Sequence, residues 1–454
     1  MTLPATWFTK ALPNPGVKTD SNRFRWFLLL LLFNPEAQAQ TAEIQKLKID
    51  TQHRIDAYLD KEKKLGAFYS ITDQGFELFS SPEKKLKKEH ECIVYWNELS
   101  CFELNVIPSK SPFSELKRLA DSHRTTSSTG CLPVCGGSFV RSPGTPLAGY
   151  RIALDPGHTA GTLESGRVEQ KFLDIPADSI HHRYPAVQLV EGHLTLGTAL
   201  TLKKKLEAAG ATVLMTHSKP DETAFGMTFE EWMKTKLDHA LDSLVACKTI
   251  TNEQRIFYKT RADKRKLFRD IFRDLELQKR ADLINAFKPD ITVIIHYNVD
   301  EKNTDWKKVT DKDFVMTFIG GSMLPADLNK PEKRFEFLRL ALTNDLDLSE
   351  ELSSNVAKSF TDTLHIPIAG KKDADYLDKN CLATKSKGVY CRNLILTRII
   401  HSPLVYGETI YQDNKTESLK LMQEDAQIEG VKTSARVRQV ADAYYSGILV
   451  YFHN

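Results

Sequence analysis

The stretch "RIALDPGHTAG", Arg151 to Gly161, decides how the rest of the chain is read. Its first half is short and apolar, the composition of a buried strand, and Asp155-Pro156-Gly157 ends it in a tight turn. A strand that stops this way throws the next side chain to the carboxyl edge of its sheet, where open α/β sheets place their ligands. That side chain is His158.

Toward the C-terminus, strand-like and helix-like segments alternate. Leu194 to Ala209 carries apolar residues at helical spacing and stops at Gly210, and "TVLMT" (212–216) reads as the following strand. A helix around Lys279 to Phe287 leads into the strand "ITVIIH" (291–296). "FVMTFI" (314–319), "LILTRII" near Leu394 and "PLVYGE" near Leu404 read as further strands. The last helix places Val437, Val440, Ala441, Tyr444 and Ile448 on one face, with Thr433 or Ser434 as its cap. The alternation predicts an α/β fold: a mostly parallel, twisted sheet with helices on both faces, plus a smaller N-terminal helical or mixed region. Two excursions interrupt it, Ser218 to Gln278 and Pro325 to Lys387. Either is long enough for a lid, although peripheral helices that enlarge the domain are the commoner outcome.

Upstream, Lys10, Lys18, Arg23 and Arg25 precede the apolar run "WFLLLLLF" (26–33), and Ala37-Gln38-Ala39 offers small residues for cleavage. Residues 1–39 therefore read as an export signal, too short in its apolar part for an ordinary membrane span, so no stable membrane anchor is expected after cleavage. Residues 40–120 are charged and carry no legible function. Residues 121–148, rich in Ser, Thr, Gly and Pro, read as a linker. Over all 454 residues, 62 Lys and Arg against 59 Asp and Glu leave a charge of only +3, which argues against a dedicated nucleic-acid binder. The seven cysteines suit an oxidising compartment. Their positions suggest the local pairs Cys92–Cys101, Cys131–Cys135 and Cys381–Cys391 with Cys247 single, and buried free thiols are the alternative.

Four chemistry-bearing groups fall at strand ends or helix starts: His158, Glu191 opening "EGHLTLGTALTLKKKL", His296 closing "ITVIIH", and Glu408 closing "PLVYGE". Two neutral imidazoles and one carboxylate are a ligand set for catalytic zinc, which keeps a further position open. Any one of these residues alone means little, and their shared sheet edge is what links them.

In four blocks the chain resembles the zinc-dependent N-acetylmuramoyl-L-alanine amidases, which cleave the amide between muramic acid and the first alanine of the peptidoglycan stem peptide. The blocks are "GYRIALDPGHTAG", "EGHLTLGTALTLKKKLEAAGATVLMTH", "KRADLINAFKPDITVIIHYN" and "SPLVYGETIYQDNKTESLKL". The resemblance implies that 149–454 is the catalytic domain, with insertions near 218–278 and 325–387. It implies Zn2+ as cofactor with His158, Glu191 and His296 as ligands, Glu408, not nearby Glu417, as the catalytic carboxylate, and Arg280, Asn285 and Asn298 as organisers of the site. Peptidoglycan is the implied partner, in the periplasm or outside the cell, and a protein activator could act on an inserted lid.

The chain also departs from the family pattern. Thr159-Ala160-Gly161 stands where a glycine pair is common, and His217 where an arginine often closes the second strand. The unusual stretch Leu163 to Val190 holds Glu164, Glu169, His181 and His182, so Glu169 competes with Glu191 for the ligand role. Glu191 is preferred because the helix, glycine and strand that follow it fit the pattern. His193, His365 and His401 have no spacing argument for a ligand role. The competing functions are a catalytically inert cell-wall-binding protein and a zinc hydrolase of a related amide or peptide.

Overall fold

The computed structural model describes residues 35–125, 145–178 and 184–453. The apolar run Trp26–Phe33, the pair Cys131 and Cys135, and His181 and His182 lie outside them. Among the described residues, no helix is long and apolar enough to cross a membrane.

The segment from Arg151 onward builds one seven-stranded sheet. Its strands are β1 (Arg151–Pro156), β4 (Thr212–Met215), β5 (Ile291–Asn298), β6 (Met316–Ile319), β7 (Leu382–Ala383), β8 (Val389–Cys391) and β9 (Leu404–Tyr411). A separate two-stranded hairpin pairs β2 (Phe172–Ile175) with β3 (Val187–Val190). The order across the large sheet is β7-β8-β6-β9-β5-β1-β4. Four of its six pairings are parallel, while β6 meets β9, and β7 meets β8, in antiparallel fashion. The neighbours β9, β5 and β1 are all parallel, so their carboxyl ends share one edge. Every residue of β5 is buried, which is why "ITVIIHYN" shows no alternation of apolar and polar positions.

Helices cover both faces. On one side lie α2 (Glu191–Ala208), α4 (Asp345–Leu364) and α5 (Ala435–His453), joined in one core through Leu194, Leu202, Val356, Val440 and Tyr444. On the other, α3 (Arg273–Phe287) packs Ala281 and Ile284 against Ala153, Ile294 and Leu404. Ser434 Oγ accepts the Val437 amide at 3.2 Å, so it, and not Thr433, caps α5. The segment "LILTRII" contains a helix, Ile395–Ile399, in place of the expected strand. A short apolar run fits either form, and here Arg339 Nη2 satisfies the carbonyls of Arg398 and Ile400 that a strand would have paired.

Residues Asp50–Asn454 form one compact unit. Within it, an antiparallel sheet of Tyr69–Ile71, Gly75–Leu78 and Cys92–Tyr95 packs against the second excursion, not apart from it. Phe337 meets Tyr69 and Phe76, Phe335 meets Phe102 and Phe113, and Arg334 holds Glu91 through two bonds of 2.6 and 2.7 Å. The second excursion is therefore a structural layer: it supplies α4 and the edge strand β7. The first excursion forms short helices closed over their own aromatic cluster of Trp232, Phe268 and Phe272.

Two of the expected cysteine pairs, Cys92–Cys101 and Cys381–Cys391, do not form, and the third, Cys131–Cys135, lies outside the described residues. Cys101 is disulfide-bonded, but Cys92 is a free buried thiol, as are Cys381 and Cys391. Leu382 is the cross-strand partner of Cys391, so Cys381, one residue earlier, is directed to the opposite face of the strand. Cys247 is free and exposed.

Candidate active site

The edge shared by β1, β5 and β9 carries the site. The peptide beyond β1 turns sharply, and His158 takes a left-handed conformation with φ of 66°. A residue with a β-carbon does not adopt this freely, so the surroundings must hold it. They do so through Arg280 on α3, which is 2% exposed. Its Nη1 donates to Asp155 Oδ1 (3.0 Å) and to the Pro156 carbonyl (2.6 Å), and its Nη2 donates to the His158 carbonyl (3.1 Å). Its Nε donates to both oxygens of Glu276 at 2.7 Å. Asn285, one turn further on, donates to the Ile399 carbonyl and accepts the His401 amide, which fixes the approach to β9. Both residues thus organise the backbone around the site.

His158, Glu191 and His296 converge, with one ligand atom from each lying within 4.8 Å of the others. Glu191 opens α2 and is 1% exposed. Its Oε1 lies 3.3 Å from His158 Nε2 and accepts the His296 Nδ1 proton at 3.1 Å. His158 Nε2 and Glu191 Oε2 are buried and make no hydrogen bond. Two such buried groups side by side without a hydrogen bond are costly, and a divalent cation with a two-histidine, one-carboxylate donor set fits both. The residues present are thus suited to a metal ion.

Glu169, the alternative considered for the ligand role, has a different position. It ends α1 (Leu163–Glu169), accepts from His158 Nδ1 at 2.9 Å, and its other oxygen accepts the Thr159 and Ala160 amides at 3.2 and 3.0 Å. It therefore holds the Nδ1 proton, so that the neutral His158 ring presents Nε2 as a ligand atom, the arrangement expected of a carboxylate behind a ligating histidine. Glu408 on β9 stands directly beside His296 in the strand register. Glu417 is bound to Arg436 at 2.5 Å and belongs to another cluster. Asn298 donates to the Tyr376 hydroxyl at 3.2 Å. His193 bonds the Lys432 carbonyl, His401 faces Glu336, and His365 is a helix terminus, so none of the three joins the cluster. His217 is buried and held neutral by burial and by Arg280.

Two contributors escape a reading of the sequence. Lys171, just past α1, brings its ammonium to 3.6 Å from Glu191 Oε2. Tyr406 stacks on the His296 ring, with centroids 4.5 Å apart and planes 7° from parallel. Lys171 lies in the stretch that fits no motif, and Tyr406 is one aromatic residue in an ordinary strand.

The electrostatics follow from this crowding. Burial lowers the His158 pKa, but the carboxylates of Glu191 and Glu169 outweigh it and raise the group to about 9. Burial pulls His296 down to about 4, with the His158 charge adding to the effect against the bond from Glu191. Burial would raise Glu191, yet the charges of His158 and Lys171 hold it well below the carboxylate range. Glu408 is pushed up to about 8, first by burial and then by Glu191.

Gly157 is a steric requirement of the site. A β-carbon there would intrude on the His296 ring, which cannot retreat because Tyr406 stacks on it and Glu191 bonds it. Gly157→Ala should therefore destabilise the fold by about 1–3 kcal/mol, the usual cost of overpacking, as read by urea denaturation.

The family model described as N-acetylmuramoyl-L-alanine amidase matches residues 152–448, which span β1 to α5 and include every residue of the cluster. The chain belongs to this amidase family. Among solved structures, the amidase domain is similar to the CwlD amidase of Clostridioides difficile, solved in complex with the GerS lipoprotein, at 17% identity over 67% of this chain and 98% of that one, with a TM-score of 0.36. It is also similar to the amidase AmiC2 of Nostoc punctiforme (13% identity, 68% and 99% of the chains, TM-score 0.35) and to Ami1 of Mycobacterium abscessus (16%, 67% and 99%, TM-score 0.32). No curated protein matches the sequence. The insertion Ser218–Gln278 lines one wall of the amidase cleft and leaves the His158 side chain 15% exposed.

Proposed function

We propose that the protein is an exported, zinc-dependent N-acetylmuramoyl-L-alanine amidase acting on peptidoglycan, with His158, Glu191 and His296 as zinc ligands and Glu408 as the catalytic carboxylate. The observation that carries this reading is the meeting of the three donor groups, two of them with buried atoms that make no hydrogen bond, beside Glu408 on the neighbouring strand. When bound, the zinc ion supplies a Lewis acid that polarises the scissile carbonyl and makes water easier to deprotonate. Glu408 accepts the proton of the attacking water on its carboxylate and returns it to the departing alanine nitrogen. Glu169 orients His158, and Tyr406 and Glu191 together fix the His296 ring. The basic and apolar N-terminal run supports export to the periplasm or the exterior. A protein activator, if one acts on the 218–278 insertion, would work by moving a wall of the cleft.

The test is to incubate the purified protein and zinc with peptidoglycan and to look for new free L-alanine amino termini. Metal content is measured alongside for the wild type, His158→Ala and Glu191→Ala. No new termini with zinc bound would leave the inert wall-binding alternative, and cleavage elsewhere would indicate a different amide.

Zinc binding should also depend on pH in a defined direction. In the metal-free protein His158 is protonated up to about pH 9 and must lose that proton to ligate. Affinity should fall by about tenfold for each pH unit below that value. Calorimetric titration in buffers of different ionisation enthalpy should show close to one proton released per zinc near neutral pH.

A further inference from the structure

The mechanism uses the floor of the cleft and says nothing of its wall. The cavity has a volume of about 560 Å³ and runs from His158 and His296 to Arg265, Arg269 and Arg273 of the first insertion. These arginines recur every four residues along a continuous helical run, Lys264–Leu267, Phe268–Phe272 and then α3. Phe268, Ile271 and Phe272 are buried in the insertion's aromatic cluster, and the three arginines are exposed. Among the described residues, Arg269 and Arg273 pair only with the adjacent Asp270 and Asp274, at 2.8 and 2.9 Å, and most of their donors remain open. Arg265 makes no ion pair among the described residues. The acidic groups of the same cavity are already engaged: Glu169 faces His158, while Asp155 and Glu276 face Arg280. The wall is therefore a cationic track that leads to the scissile position.

We propose that Arg265, Arg269 and Arg273 bind the carboxylates of the stem peptide and set the amidase's preference for acidic over amidated stems. This rests on the amidase reading. The choice of the peptide follows from chemistry. At the scissile bond the lactyl carboxyl is consumed in the amide, so the adjoining glycan is uncharged. Anionic groups lie only on the peptide side, and guanidinium is well suited to carboxylates. Because the track is continuous with His158, its occupant is the part of the substrate attached to the bond being cut, not a separate polymer.

The experiment compares two free tetrapeptides, one with the second-residue α-carboxylate free and one with it amidated, titrated calorimetrically into the zinc-loaded protein. The acidic peptide should bind at least about tenfold more tightly, and the ratio should fall toward one in R265Q/R269Q/R273Q while the corresponding triple lysine variant keeps part of it. Circular dichroism checks that each variant is folded. Muropeptides carrying the same two stems should show the preference in KM. No preference in the wild type, or a preference that survives the triple glutamine variant, overturns the proposal. So does a loss confined to walls that carry teichoic acid, because the track would then bind another polyanion. Peptide binding is read without turnover, so failure to cleave any muropeptide would refute the amidase reading separately.

Discussion

Glu408→Gln should retain zinc and lose turnover by about 10²- to 10⁴-fold, the range for removing a general acid/base. The substitution keeps volume and one oxygen but cannot take up a proton. Glu408 sits on β9 beside His296 but is absent from the three-residue donor cluster, so metal content should equal that of the wild type. In the metal-free protein burial and Glu191 raise Glu408 to about 8, and a bound divalent cation would pull it down into a range where the carboxylate is charged at neutral pH. Turnover of a peptidoglycan fragment beside a metal assay gives the result, and full activity in the variant would remove Glu408 from the mechanism.

The second large effect is expected at a residue that touches no substrate. Arg280→Met should destabilise the protein by about 3–5 kcal/mol, because the cation is 2% exposed and its loss leaves Asp155 and Glu276 buried without it. Methionine fills much of the volume, so a cavity is not the main cause. Arg280 also grips the carbonyls of Pro156 and His158, and the left-handed backbone of His158 loses its restraint in the variant. Molecules that remain folded should accordingly bind zinc more weakly. Urea denaturation and a zinc titration measure the two consequences separately, and a variant as stable as the wild type would contradict the role given to this cluster.

How much of this was legible in the sequence differs from one element to the next. β1, β5, β9, α2 and α5 announce themselves because their burial leaves continuous or periodic apolar runs, and the groups at their ends were readable as soon as the elements were. "LILTRII" reads as a strand but is a helix, because a short apolar run has no period to separate the two. Cys92–Cys101 and Cys381–Cys391 do not pair because proximity in sequence does not fix the side of a strand a thiol occupies, as Cys381 shows. Glu169 was visible only as a rival ligand, since nothing in its neighbours reveals that its oxygens meet His158 Nδ1 and two amides. The arginine spacing 265, 269, 273 was a signal available from the start, but its meaning depends on the cavity it faces.

The layer formed by Pro331–Leu364 has a consequence for how the molecule can be divided. One flank of this pair of helices adheres to the large sheet and the other to the N-terminal region, through Phe335, Phe337 and the Arg334–Glu91 fork. A chain begun at the sheet would present that second flank bare to water, with two aromatic rings and a guanidinium stripped of its counter-charge. The matched family segment is thus not a detachable cassette here, and any gene fusion or excision that respects the family boundary would cut through a shared interior.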